Sequence, residues 1–147
     1  MRFCGKQQIY KLGTGYTKIL DFLAVQDIGQ PINPAMCAAQ IQGAAQMGCG
    51  AALREELTVQ KDGRCTNSLS KYHLFLAPDL PNIRVELLTE GRSSEGPFGA
   101  KSIGEVCYVP TAPAVCGAVN DALNSQMGVL PFTPDCILKY LAKERET

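Results

Sequence analysis

The stretch of this chain best suited to chemistry is GPFGAKSIGE at residues 96–105, where a glycine-rich approach ends on one carboxylate, Glu105. Gly96, Gly99 and Gly104 let the backbone pass close to a bulky neighbour, because no Cβ stands in the way. A carboxylate delivered into a confined, poorly solvated place has its ionised form disfavoured and becomes a usable general base. A single Glu after glycines is a weak motif, however. The plainer reading is a solvated loop acid just ahead of a helix, where the dipole favours negative charge.

Three glutamines, Gln40, Gln42 and Gln46, interrupt an otherwise small and apolar run at residues 34–53. They read either as solvent-facing polar residues or as buried amides, at least one of which meets a ligand. The seven cysteines contain no CxxC pair, and His73 is the single histidine, so zinc and iron-sulfur patterns cannot be assembled. No metal ligand is assigned. The odd count and the polar amino terminus argue for reduced thiols packed as small hydrophobes.

These residues need elements to position them. A turn at Gly13–Gly15 precedes TKILDFLAVQ at residues 17–26, apolar on both alternating faces and expected to be a strand covered on both sides. Asn33 followed by Pro34 suits a helix start, since proline's missing donor would be unpaired there anyway. The helix expected over residues 34–53 places Cys37, Ile41, Ala44, Gly48 and Ala52 on one face. Asp62-Gly63 between strand-like runs predicts a hairpin. Ile83, Val85 and Leu87 alternate with Arg84 and Glu86 as a half-buried strand should. A helix is expected over residues 111–124, facing inward through Val115, Ala118, Val119 and Ala122, and a last short one after Thr133-Pro134.

At 147 residues and 46% hydrophobic composition the chain has the size and apolar content of one ordinary domain. Fourteen basic residues balance fourteen acidic ones without a basic patch, which argues against nucleic acid as a partner. No apolar run is long enough to span a bilayer, and a cytoplasmic location is expected. Strands and helices interleave without regular βαβ alternation, so the fold class is α+β, a mixed sheet with packed helices.

Taken in order, four stretches carry a resemblance: DIGQPINP at 27–34, AAQIQGAAQMGCGAAL at 38–53, GPFGAKSIGE at 96–105 and VPTAPAVCGAVNDA at 109–122. Together they resemble the carboxy-terminal part of the molybdenum-binding subunit of the xanthine dehydrogenase and aldehyde oxidase family. On that resemblance residues 13–147 form a C-terminal fragment of the molybdopterin-binding domain. Residues 1–12 are a poorly matched leader. The upstream segment that carries most of the family's cofactor and substrate contacts has no counterpart, which implies a truncated or split reading frame or an isolated domain, silent by itself.

The resemblance also implies roles. Glu105 would be the base beside molybdenum, taking a proton from a metal-bound hydroxyl whose oxygen attacks an electron-poor carbon. Gln40 would contact the pterin cofactor, and Ala100, Lys101 and Gly104 would line its site, although Lys101 also reads as a surface charge. Cys107 would not be a metal ligand, since the family's metal takes its sulfurs from the pterin and a sulfido group. Many relatives have two prolines after the glutamate where this chain has Val106 and Cys107. Implied cofactors are molybdenum-molybdopterin, shared with the upstream segment, and iron-sulfur clusters and FAD in partner subunits or domains. The implied substrate is a purine such as xanthine or hypoxanthine, or another N-heteroaromatic compound, with nicotinate or an aldehyde also open. A homo-oligomer covering an open apolar face is compatible with this. The alternative is a noncatalytic domain that serves in assembly. If the chain is catalytic, Glu105 and Gln40 should converge on one apolar-walled cleft; if not, Glu105 should point to solvent.

Overall fold

A computed structural model describes residues 2–9, 13–65, 68–70, 72–91 and 95–144. Its elements are β1 (Arg2–Ile9), β2 (Thr17–Asp27), α1 (Pro34–Leu53), β3 (Asn82–Leu88), α2 (Tyr108–Leu123) and α3 (Pro134–Glu144). The three strands form one sheet in the order β1-β2-β3, with β1 antiparallel and β3 parallel to β2. A parallel neighbour requires a crossover. Helix α1 lies within that connection, so the sheet is mixed and the fold is α+β.

Three helix ends and one strand fall where the sequence says they should. Asn33 caps α1 by accepting a 3.1 Å bond from Met36 N, with Pro34 at the first helical position. Thr133 does the same for α3 through Cys136 N at 3.3 Å. Asn124 ends α2 in the left-handed conformation, which a short polar side chain tolerates. In β3 exposed residues alternate with half-buried ones, and Ile83, Val85 and Leu87 pack against the core.

The core forms where α1, α2 and one face of β2 meet. Phe22, Ile41, Cys49, Val119, Phe132 and Ile137 are all essentially fully buried, each large apolar one worth about 1.5–3 kcal/mol of transfer free energy. Helices α1 and α2 touch closely at Gly48, where an added Cβ would lie 2.4 Å from the Thr111 Cβ. The carbonyl of Cys107, one turn earlier, accepts the Thr111 hydroxyl at 2.7 Å.

Three expectations are corrected. Only one face of β2 is fully covered: Phe22 and Ala24 are buried while Leu20 is exposed. Among the described residues the hairpin reduces to a single bridge between Val59 and Cys65 around Gly63, which turns at φ +82°. Helix α2 begins three residues early, at Tyr108, and buries Thr111, Val115 and Val119, leaving Ala122 exposed. Residues 2–9, which show no clear period in the sequence, pair along β2 through a backbone ladder that needs no apolar alternation.

Candidate functional site

The loop at residues 96–105 is stitched to the end of β2. Gln30 N donates to Gly99 O at 3.0 Å and Lys101 N to Ile28 O at 2.9 Å, bracketing a bridge between Gly29 and Ala100. Only glycine serves at position 29: its φ is +61°, and a Cβ there would lie 2.3 Å from Gly99 O. Asp27 locks the junction. One carboxylate oxygen accepts Gly29 N at 3.0 Å and the other accepts Lys101 Nζ at 2.6 Å. The Lys101 hydrogen bond, followed by the Gly29 amide, holds the Asp27 carboxyl below its ordinary value.

A first cleft of about 280 Å³ opens beside this junction, with Ile28, Ile32, Met36, Gln40, Ala100 and Lys101 in its walls. The glutamines now separate. Gln46 donates to Phe75 O at 3.1 Å and Gln42 to Ile83 O at 3.3 Å, so both brace the fold. The Gln40 side chain is exposed in the cleft wall and makes no hydrogen bond among the described residues.

Glu105 lies in a second cleft of about 390 Å³, formed with Met47, Ala51, Glu55, Tyr72 and Tyr108. Glu105 is exposed, and its carbonyl accepts Tyr108 N at 3.0 Å at the entry to α2. Glu55 is fixed: Oε1 accepts Phe75 N at 3.2 Å and Oε2 accepts the Tyr72 hydroxyl at 2.9 Å. That hydrogen bond is the main reason the Tyr72 hydroxyl is pushed above its ordinary value of 10.

Gln40 and Glu105 therefore do not converge on one cleft. Seven residues separate Gln40 from Met47, about 10 Å of helical rise, so the two clefts open at successive places along α1. They share one helix face, because Met36, Gln40, Gly43, Met47 and Ala51 recur at the spacing that keeps side chains in line. Gly104 lines neither cleft, and a Cβ on it or on Gly43 would meet nothing within 4 Å. Lys101 borders the first cleft with its ammonium committed to Asp27. Cys107 is buried, and burial pushes its thiol up to about 11.

Sequence reasoning missed Asp27, Glu55 and Tyr72. Asp27 had a local signal, an Asp two residues before the Gly29 it caps as an Asx turn. Glu55 had none, since its two partners lie 17 and 20 residues away.

Residues 10–81 match the model of the molybdopterin cofactor-binding domain. The gamma subunit of the 6-hydroxypseudooxynicotine dehydrogenase complex from Paenarthrobacter nicotinovorans is 36% identical over 84% of this chain and 16% of its own length. A probable hypoxanthine oxidase of Escherichia coli (strain K12) is 34% identical over 88% of this chain and 14% of its own. This chain belongs to the molybdopterin-binding subunits of the xanthine dehydrogenase and aldehyde oxidase family. Quinoline 2-oxidoreductase from Pseudomonas putida 86 superposes with a TM-score of 0.81 at 34% identity, over 86% of this chain and 16% of that one. The chain thus spans about a sixth of the length of such relatives.

The residues present fit a molybdopterin group. An unbonded amide at Gln40 faces an apolar-walled cleft, and the bare backbone at Gly43, on the same face of α1, leaves room for a large flat molecule. Among the described residues no helix is long and apolar enough to cross a membrane, and no cluster of three metal-ligating side chains occurs.

Proposed function

We propose that this chain is the base-bearing part of a molybdenum hydroxylase that oxidises a purine or another N-heteroaromatic compound, with Glu105 as general base. The observation that carries it is the single face of α1 along which the Gln40 cleft and the Glu105 cleft both open, through Met36 and Gln40 in one and Met47 and Ala51 in the other. Gln40 and the backbone at Ala100, Lys101 and Gly104 hold the pterin in this reading. The bound cofactor supplies the redox centre that accepts electrons from the substrate. The chain's own part is to take and hold a proton at the Glu105 carboxylate, on a loop that the Asp27–Lys101 junction keeps in place.

The rest of the site comes from a partner, the upstream molybdopterin-binding segment, with iron-sulfur and FAD components completing electron transfer in the cytoplasm. Surface area supports a large partner. The chain exposes 9650 Å², whereas a self-contained monomer of its mass exposes about 7,300 Å². Ile32, Phe98 and Val109 are each more than 70% exposed.

Exposure of Glu105 is also what a noncatalytic assembly domain requires. One experiment separates the two readings: co-expression with the upstream segment of a family member, followed by molybdenum analysis and turnover of hypoxanthine and quinoline. A base-bearing chain yields a metal-loaded, active pair, and Glu105→Gln keeps the metal while losing at least about 100-fold in kcat. A pair that assembles and turns over equally well with Glu105→Gln defeats the proposal.

A further inference from the structure

Phe98 is held in a backbone conformation that its side chain does not favour. Its φ of +55° and ψ of +16° lie in the left-handed region, where the Cβ of a bulky residue crowds the following carbonyl. Asn124 is the other non-glycine residue with positive φ among the described residues, and there a short polar side chain ends a helix. Phe98 ends no helix and has no polar group to offer. Three hydrogen bonds impose the kink on it: Gly99 N donates to Gly96 O, Ala100 N to Pro97 O and Gln30 N to Gly99 O, each at 3.0 Å. Strain of this kind persists only where the surroundings over-determine it, and it collects at clamps and contacts. The ring that the kink displays is 87% exposed, so burial within this chain does not offset the strain.

We infer that Phe98 is a docking anchor whose ring enters an apolar pocket on the upstream molybdopterin-binding segment. The inference rests on the reading that such a segment completes this chain. Two observations favour that occupant over a second copy. The chain spans about a sixth of the length of its relatives, and its surface exceeds that of a self-contained monomer of its mass by roughly 2,000 Å², where one side of a standard interface takes about 800 Å². The ring also stands beside Gly99 and Ala100, at the junction that borders the Gln40 cleft, where the proposed function places a cofactor shared with that segment. A ring already held in its docking position loses little conformational freedom on binding, and aromatic side chains are enriched at interface cores for their area. One loop then carries both the base and the contact that seats its partner.

The test titrates the full 147-residue chain with the separately purified upstream segment of a family member and follows binding by calorimetry. Urea denaturation of the chain alone runs beside it. Phe98→Asn removes the ring and relieves the backbone, because asparagine tolerates the left-handed region. The urea midpoint of the isolated chain stays the same or rises, while the dissociation constant for the segment rises at least about tenfold. Phe98→Tyr keeps the ring and restores binding. The inference is overturned if Phe98→Asn lowers the midpoint, which makes Phe98 a structural residue, or if it binds the segment as tightly as the unaltered chain. It is equally overturned if the chain alone sediments as a dimer that Phe98→Asn dissociates, since the occupant is then a second copy. Failure of the unaltered chain to bind any segment removes the underlying reading and the inference with it. None of these measurements uses turnover, so the role of Glu105 as base is decided separately by Glu105→Gln in the reconstituted pair.

Discussion

The two clefts along α1 are built by different means. The Gln40 cleft rests on backbone: Gly29 and Gly99 approach too closely for side chains, and two amide hydrogen bonds hold the loop to β2. The Glu105 cleft rests on side chains, with Glu55 tying Tyr72 and the amide of Phe75 to the end of α1. A backbone junction fixes position within tenths of an ångström, which suits holding a large rigid group. A side-chain wall can be retuned residue by residue, which suits substrate choice. On the proposed function, the contrast corresponds to a division of labour between cofactor support and chemistry.

The largest effect that separates them comes from Gly29→Val. A β-branched residue cannot adopt φ +61° without strain, and its Cβ would meet Gly99 O. The chain should lose about 3 kcal/mol in urea denaturation, with NMR changes concentrated around the first cleft. Shifts spread evenly over both clefts would show that they are not independent.

Next comes Glu55→Ala, which leaves the Phe75 amide and the Tyr72 hydroxyl without their acceptor. A loss of about 1–3 kcal/mol is expected, with line broadening at Tyr72 and none at Gln40. The glutamines give a finer comparison. Gln46→Ala removes a bond to Phe75 O and should cost about 1 kcal/mol. Gln40→Ala should change stability by less than about 0.5 kcal/mol and yet lower molybdenum retention in the reconstituted pair. Equal stability losses would mean that Gln40 is structural.

The smallest effect is a difference in pH response. Asp27 has a lowered pKa, so its pairing with Lys101 stabilises the fold above the ordinary carboxylate value of 3.8 and is lost as pH falls through the lower folded value. Tyr72 has a raised pKa, so its bond to Glu55 is fully present below 10 and is lost as pH rises through the higher folded value. Amide exchange should therefore loosen the Gln40 cleft first in acid and the Glu105 cleft first in alkali. Asp27→Asn should remove the acid response and leave the alkaline one.

Much of the architecture was legible residue by residue. Asn33-Pro34 marked the start of α1, the alternation of Ile83, Val85 and Leu87 marked β3, and Thr133-Pro134 marked α3, because caps and periodicities act over one turn or one pleat. The pairing of residues 2–9 was hidden, since a backbone ladder leaves no trace in side-chain pattern. The hairpin at Asp62-Gly63 was over-read: the turn forms, but among the described residues one bridge accompanies it. Glu105 and Gln40 were selected by motif, yet their separation along α1 follows from helical rise, which neither motif contains.

The sequence by itself determined which residues could do chemistry and where the helices begin, because residue type, cap and period are local properties. Tertiary structure alone decided that Lys101 is paired with Asp27, that Gln40 is the unbonded glutamine of the three, and that Glu55 and Tyr72 join Glu105. Those outcomes depend on groups 17 to 74 residues apart being brought within hydrogen-bond reach, and only tertiary packing sets such distances.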